Sequence, residues 1–331
     1  MKRCRLTLVM IVLFVLLGGI ASAQQIKIAS PAPESSPWGE ALNRVAADWA
    51  RISNGRVRLQ VFHNGIAGNE SDVLRKMRIG QVHAAVITSG ALSNLADELL
   101  TVSMPMLIRS DEELDYVFER IRPQIENAVR ANRFEVLGWS KAGWIRFFAS
   151  DPVPSPEALK GLKLASSADN EELLQAFRLM GYQVIPMTET ELLTALNSGR
   201  VESFYGSPIA AAGFQWFARA PYMLELRVAP FLGSFVMIEN MWRRVPDDLK
   251  PELIASVERQ IARLDSQVRQ LEEEAIETMR QYGLEITELS ESEERRWFSE
   301  FDRSSQVTVG TVFDEELYST ISRYLDEYRR Q

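Results

Sequence analysis

Few side chains in this sequence are suited to covalent or metal chemistry. Two histidines, His63 and His83, make up the whole imidazole complement. Neither has a second histidine, a cysteine or a carboxylate cluster at metal-ligand spacing. The single cysteine is Cys4. The segment Gly199-Arg200-Val201-Glu202-Ser203 lacks the G-x-S-x-G spacing that presents a serine nucleophile on a strained turn, and no glycine-rich loop is built to cradle a phosphate. His63 lies in the turn signal His63-Asn64-Gly65 and is expected to be solvated. The acidic run Glu272-Glu273-Glu274 and the mixed run 291–296 are expected to form solvated helix faces. What remains is recognition chemistry. Thr88 and Ser89 stand at the C-terminal end of an expected strand, where open α/β sheets present their binding loops, and their hydroxyls orient a ligand without adding charge. No catalytic residue, metal or cofactor is expected.

The elements that would position such residues alternate between strand and helix. Residues 25–30 alternate like a strand, a proline-rich stretch follows, and 38–52 has helical periodicity closed by Asn54-Gly55. Strand 56–62, helix 70–79 and the short apolar strand 82–87 continue a β-α-β order that implies a parallel sheet. The pattern restarts with strands at 135–139, 146–149 and 162–165, a helix at 170–180 and a strand at 183–186. A helix at 188–198 opens on Thr188 and Glu191, spaced as a capping box, and Gly199 stops it before the apolar stretch 201–205. From Leu253 to Ala275, apolar residues recur at spacings of three and four. That spacing predicts one long amphipathic helix, either a coiled-coil seam or a brace behind two lobes; the brace is the preferred reading.

With 331 residues, 46% apolar and 25% charged, the chain has ordinary globular proportions and is long enough for two domains. Its net charge of -8 and the lack of basic runs argue against a nucleic-acid partner. Residues 1–23 read as a secretory leader: Lys2, Arg3 and Arg5 precede an apolar run over 6–17, and Ala21-Ser22-Ala23 offers a small-residue cleavage site. Cleavage after Ala23 would remove the only cysteine and leave an acidic exported protein. An apolar run of this length is short for a membrane span, but extended to Ala23 it gives 18 residues, which leaves an uncleaved anchor as the alternative.

Against that background the sequence resembles the substrate-binding proteins of tripartite ATP-independent periplasmic (TRAP) transporters. In the first half the likeness rests on Arg56-Val57-Arg58-Leu59-Gln60-Val61-Phe62-His63-Asn64-Gly65, then Gly68, then the segment from Arg78 to Ala84. In the second half it rests on Pro156 to Leu164, Met180-Gly181, Pro186-Met187, Glu191, Ala195-Leu196 and Gly199, and it closes with Trp242, Val245-Pro246 and the long helix. The resemblance covers essentially the whole chain after the leader. It implies a two-lobed α/β periplasmic binding protein fold with crossing hinge strands and a long helix spanning both lobes. Lobe 1 would hold 24–143 and about 230–262, and lobe 2 would hold 144–229 and about 263–331. It further implies a small-molecule ligand taken up by hinge closure, delivery to TRAP membrane permease subunits and a periplasmic location. A helical-repeat protein is an alternative partner, with the receptor then acting as a docking subunit.

The sequence also departs from that family. Members generally hold organic acids through an arginine just after the strand reading GLK, and here that position is Ala165. A carboxylate buried without its guanidinium loses several kcal/mol, about three or more, so a simple dicarboxylate is a poor candidate. The polar segment expected after Gly199 reads Glu202-Ser203-Phe204-Tyr205-Gly206. The aspartate common in the RIG segment is replaced by His83. These changes point to a hydrophobic or amphipathic ligand. The expected binding set is Trp38, Thr88, Ser89, Arg146, Ala165, Ser166, Tyr205 and Phe231. Arg146 matches a second family arginine and is the one group through which an organic acid would still be held, the alternative being a structural hinge or surface arginine.

Overall fold

The computed structural model describes residues 24–96 and 98–331; the expected leader and its cleavage point lie outside the described residues. The strands are β1 (Gln24–Ala29), β2 (Val57–Phe62), β3 (Ala84–Thr88), β4 (Phe134–Ala149), β5 (Lys163–Ser167), β6 (Gln183–Met187), β7 (Ser203–Gly206), β8 (Tyr222–Leu224), β9 (Ala229–Ile238) and β10 (Glu285–Thr287). The helices are α1 (Pro37–Ile52), α2 (Glu70–Arg78), α3 (Ser89–Leu92), α4 (Glu98–Val102), α5 (Asp111–Ala131), α6 (Pro156–Lys160), α7 (Glu171–Leu179), α8 (Glu189–Asn197), α9 (Pro208–Gly213), α10 (Glu239–Trp242), α11 (Lys250–Gln281), α12 (Glu291–Thr308) and α13 (Glu315–Arg329).

Local signals explain the boundaries. The side chain of Ser36 accepts the Gly39 amide at 3.2 Å and Pro37 occupies the first turn of α1, a position that needs no amide donor. Leu42, Val45 and Trp49 form its buried stripe. At α8 the Glu191 carboxylate accepts the Thr188 amide at 3.0 Å, one half of the expected capping box.

The strands follow the order β2-β1-β3-β9-β4-β7-β5-β6, with β8 between β4 and β10. Two apolar cores form around this path. In the first, β1, β3 and β9 pack against α1 and α5, and Trp49 stacks on Phe235 with ring centroids 5.9 Å apart. In the second, Phe147 is ringed by Phe177, Tyr182, Tyr205 and Trp297. A neighbouring cluster holds Phe148, Phe204 and Trp216. The short strand β3 is not in a purely parallel setting, because it pairs parallel with β1 and antiparallel with β9.

Strand β4 joins the halves. The separate strands expected at 135–139 and 146–149 are one element, which pairs with β9 as far as Ile145 and with β7 from Arg146. A register shift lies between Lys141 and Trp144, and Gly143 takes φ +98° there, a backbone region that glycine occupies without a side-chain penalty.

Helix α11 is the brace. Its 32 residues extend over about 48 Å at a rise of ~1.5 Å each. Leu253 and Val257 belong to the first core, whereas Met279 belongs to the cluster around Phe204. The C-terminal segment does not stay with the second lobe as 263–331 was expected to. Trp297 and Phe301 of α12 do join the second core, but Leu317, Ile321 and Leu325 of α13 return to the first. That return gives the apolar face of α13 a partner in α5, where Tyr116 and Tyr328 meet with ring centroids 5.2 Å apart.

Candidate functional site

Between the two cores, at the C-terminal ends of the parallel strands, lies a cavity of about 220 Å³. The first lobe contributes Thr88 from the end of β3, Ser89 and Gly90 from α3, and Glu70 from the start of α2. The second contributes Ala165, Ser166 and Ser167 from the end of β5, Met187 to Glu189 from the β6–α8 junction, and Tyr205 to Ser207 from the β7–α9 junction. The crossing strands add Ile145, Pro230 and Phe231, and Trp216 closes one wall. Strand ends of an open α/β sheet are where loops converge without having to continue the ladder, so this is where such sheets hold ligands. The lobes approach closely here: a Cβ at Gly90 would sit 3.2 Å from Nδ2 of Asn170.

Six of the eight expected residues line this space: Thr88, Ser89, Ala165, Ser166, Tyr205 and Phe231. Trp38 and Arg146 do not. Trp38 packs on Ala41, Leu264 and Val268, where it fastens α1 to α11. Arg146 is turned away from the cavity by stronger partners. Its Nη2 donates to Oε1 of Glu272 at 3.4 Å, its Nη1 donates to the carbonyl of Glu225, and its side chain is 11% exposed. Glu272 therefore is not on a solvated face. Its Oε2 also accepts the Trp144 amide at 3.2 Å, and the residue is buried. His63 too is buried rather than solvated, with Nε2 3.0 Å from Oδ1 of Asn43.

The charged groups lining the cavity are Glu70, Asp169 and Glu189; among the described lining residues there is no lysine, arginine or histidine. The Glu70 carboxylate accepts the Thr88 amide at 2.6 Å and the Thr88 hydroxyl at 2.7 Å. Burial nevertheless pushes its pKa up to about 7, the Thr88 bonds opposing the shift and the charges of Glu189 and Asp169 adding to it. Loss of water around the Glu189 carboxyl and the charge of Asp169 raise that group as well, although the residue as a whole stays exposed. Burial also raises the Tyr205 phenol, which keeps its proton at neutral pH. Ser166 and Trp216 line the cavity, and Oγ of Ser166 and Nε1 of Trp216 are buried without a hydrogen-bond partner in the protein. This arrangement offers donors, acceptors, aromatic surface and negative charge, with no nucleophile–base pair.

Sequence reasoning missed Glu70, Asp169, Glu189, Ser207 and Trp216. The strand-end rule that located Thr88 and Ser89 also reaches Glu189 and Ser207, each one or two residues beyond a strand end. Glu70 and Trp216 carried no comparable signal, because neither lies at a strand end.

The model of the DctP family, bacterial extracellular solute-binding protein family 7, matches residues 28–308. A solute-binding protein of Chromohalobacter salexigens is 26% identical over 172 residues, which is 51% of this chain and 51% of that protein. The chain thus spans about half the length of the first curated relatives it matches. Among solved structures, a TRAP periplasmic solute-binding protein of Roseobacter denitrificans with bound β-D-glucuronate superposes with a TM-score of 0.82 at 17% identity, covering 90% of this chain and 99% of that one. One from Desulfovibrio salexigens with bound orotic acid gives 0.82 at 15% identity, covering 93% and 99%. At these identities the likeness to the solved structures is one of fold, and that fold is the two-lobed binding-protein architecture.

Proposed function

The chain belongs to family 7 of the bacterial extracellular solute-binding proteins, and on that premise we propose that it is the periplasmic receptor of a TRAP-type transporter. It captures an apolar or amphipathic small molecule by lobe closure and hands it to membrane permease subunits. The observation that carries this reading is the cavity itself, built from strand ends of both lobes and floored by the crossing strands β4 and β9. A ligand touching both walls binds the closed arrangement better than an open one and shifts the population by that difference. Leu100, Ile145, Met187, Leu192, Tyr205, Trp216 and Phe231 supply the apolar surface.

The neighbours from Roseobacter and Desulfovibrio hold glucuronate and orotic acid. Among the described lining residues there is no guanidinium to receive such a carboxylate, since Ala165 stands on the wall and Arg146 is engaged by Glu272. An organic acid held by Arg146 alone is therefore the weaker reading, and nothing in the comparisons supports a helical-repeat partner.

The test has two steps: release of bound small molecules from natively purified protein, identified by mass spectrometry, then small-angle scattering with and without the released compound. A smaller radius at saturation is expected. An unchanged radius would count against capture by closure.

A further inference from the structure

We propose that the ligand of this cavity is an organic cation, with an ammonium head on the side of Glu70, Asp169 and Glu189 and an apolar or aromatic body against Tyr205, Trp216 and Phe231. This assignment rests on the receptor reading and sharpens it by naming the charge of the solute.

Three observations carry it. The first is the charge balance. Three carboxyl groups line the cavity and, among the described lining residues, no basic side chain does. Helices α2, α7 and α8, of nine residues each, begin at the cavity. Their N-termini contribute roughly half a positive charge apiece, the short helices α3 and α9 that also begin there add less, and Glu70, with its pKa near 7, is about half protonated at neutral pH, so on the order of one negative charge or less remains. The residual field is negative. It repels a ligand carboxylate and attracts an ammonium.

The second observation is independent of that cluster. Ser166, 4% exposed, and Trp216, 4% exposed, both line the cavity, and neither Oγ of Ser166 nor Nε1 of Trp216 has a partner in the protein. Buried polar atoms are almost always paired in native proteins. A solute that reached these two atoms would meet a hydroxyl able to accept from an ammonium and an indole N–H in need of an acceptor.

The third is the aromatic wall. Tyr205, Trp216 and Phe231 line the cavity and give the aromatic body of the solute a surface to pack against. Glu70, Asp169 and Glu189 line one cavity, so their like charges repel. An ammonium among them relieves their mutual repulsion.

Titration calorimetry of the exported full-length protein with three probes of one shape tests the assignment: 2-phenylethylammonium, 2-phenylethanol and phenylacetate. The ammonium is expected to bind about tenfold more tightly than the alcohol or better, as a charge-assisted hydrogen bond warrants, and phenylacetate is expected to bind most weakly. Glu70→Gln and, separately, Asp169→Asn should each reduce the ammonium-to-alcohol ratio. Phenylacetate binding most tightly to the wild type, or a ratio unchanged in both variants, overturns the cation while leaving the receptor reading intact. If all three probes are silent, the molecule released from natively purified protein decides: an amine supports the proposal, and a carboxylate or uncharged compound overturns it alone. Release of nothing, together with three silent probes, overturns both readings.

Discussion

The buried pair Arg146–Glu272 sits where β4 leaves one half of the sheet for the other, and its removal should weaken the fold rather than the binding site. The two side chains are 11% and 10% exposed and 3.4 Å apart. Breaking such a pair by removing one partner costs about 3–5 kcal/mol, because the survivor is left charged and desolvated. Glu272→Gln preserves an acceptor for the Trp144 amide, so the lower end, about 3 kcal/mol, is expected. Arg146→Met leaves the Glu272 carboxylate with that amide as its remaining partner, and a similar loss follows. The double variant buries neither charge, so the two losses should not add; a coupling of about 2–3 kcal/mol is expected from the cycle. Because the pair is shielded from solvent, added salt should change these values little. Urea unfolding of the four proteins at neutral pH measures them. The reasoning is refuted if Arg146→Met unfolds within about 0.5 kcal/mol of the wild type yet no longer retains ligand, since Arg146 would then serve the solute and not the hinge.

Glu70 gives a pH signature: its pKa rises from 4.5 to about 7 on folding, so the folded state keeps a proton that the unfolded chain releases. Stability should fall as pH rises from about 4.5 to about 7 and then level off. The contribution is at most about 3 kcal/mol, reduced by the solvent that still reaches the side chain, and the slope should flatten in Glu70→Gln when unfolding is followed across that range. Glu189, also raised, acts in the same direction. Ala165→Arg places a long cation on the wall facing these carboxyls and should abolish uptake of 2-phenylethylammonium in calorimetry while leaving the far-ultraviolet circular dichroism unchanged. Gly143→Ala combines φ +98° with a Cβ 2.7 Å from Oε2 of Glu272, so a loss of about 2–3 kcal/mol is expected in urea unfolding. Intact mass of the exported protein should place its first residue at Gln24, and retention of 1–23 would indicate an anchored form.

Some of this was legible along the chain because it is local. The proline-rich stretch before residue 38 marks where α1 starts, Thr188 and Glu191 start α8, and the three-four spacing from Leu253 onward makes α11; each depends on side chains within a few turns of one another. Thr88 and Ser89 were found for the same reason, since a strand end is a local feature. Ala165, where the resemblance implied a missing guanidinium, does stand on the cavity wall.

What the chain could not reveal was which distant residues would meet. Arg146 lies beside Ile145, which lines the cavity, yet strand alternation sends neighbouring side chains to opposite faces, and Glu272, 126 positions away, takes the guanidinium. The same acidic run that looked solvated holds this buried partner because the face of α11 that carries Val268 also carries Glu272 toward β4. The negative character of the cavity arose likewise. Glu70, Asp169 and Glu189 each read as an ordinary acid near a helix start, favoured there by the helix dipole. Only the folding of two lobes around the crossing strands brought the three helix starts to one space, and charge, unlike hydrophobic periodicity, acts through that space rather than along the chain.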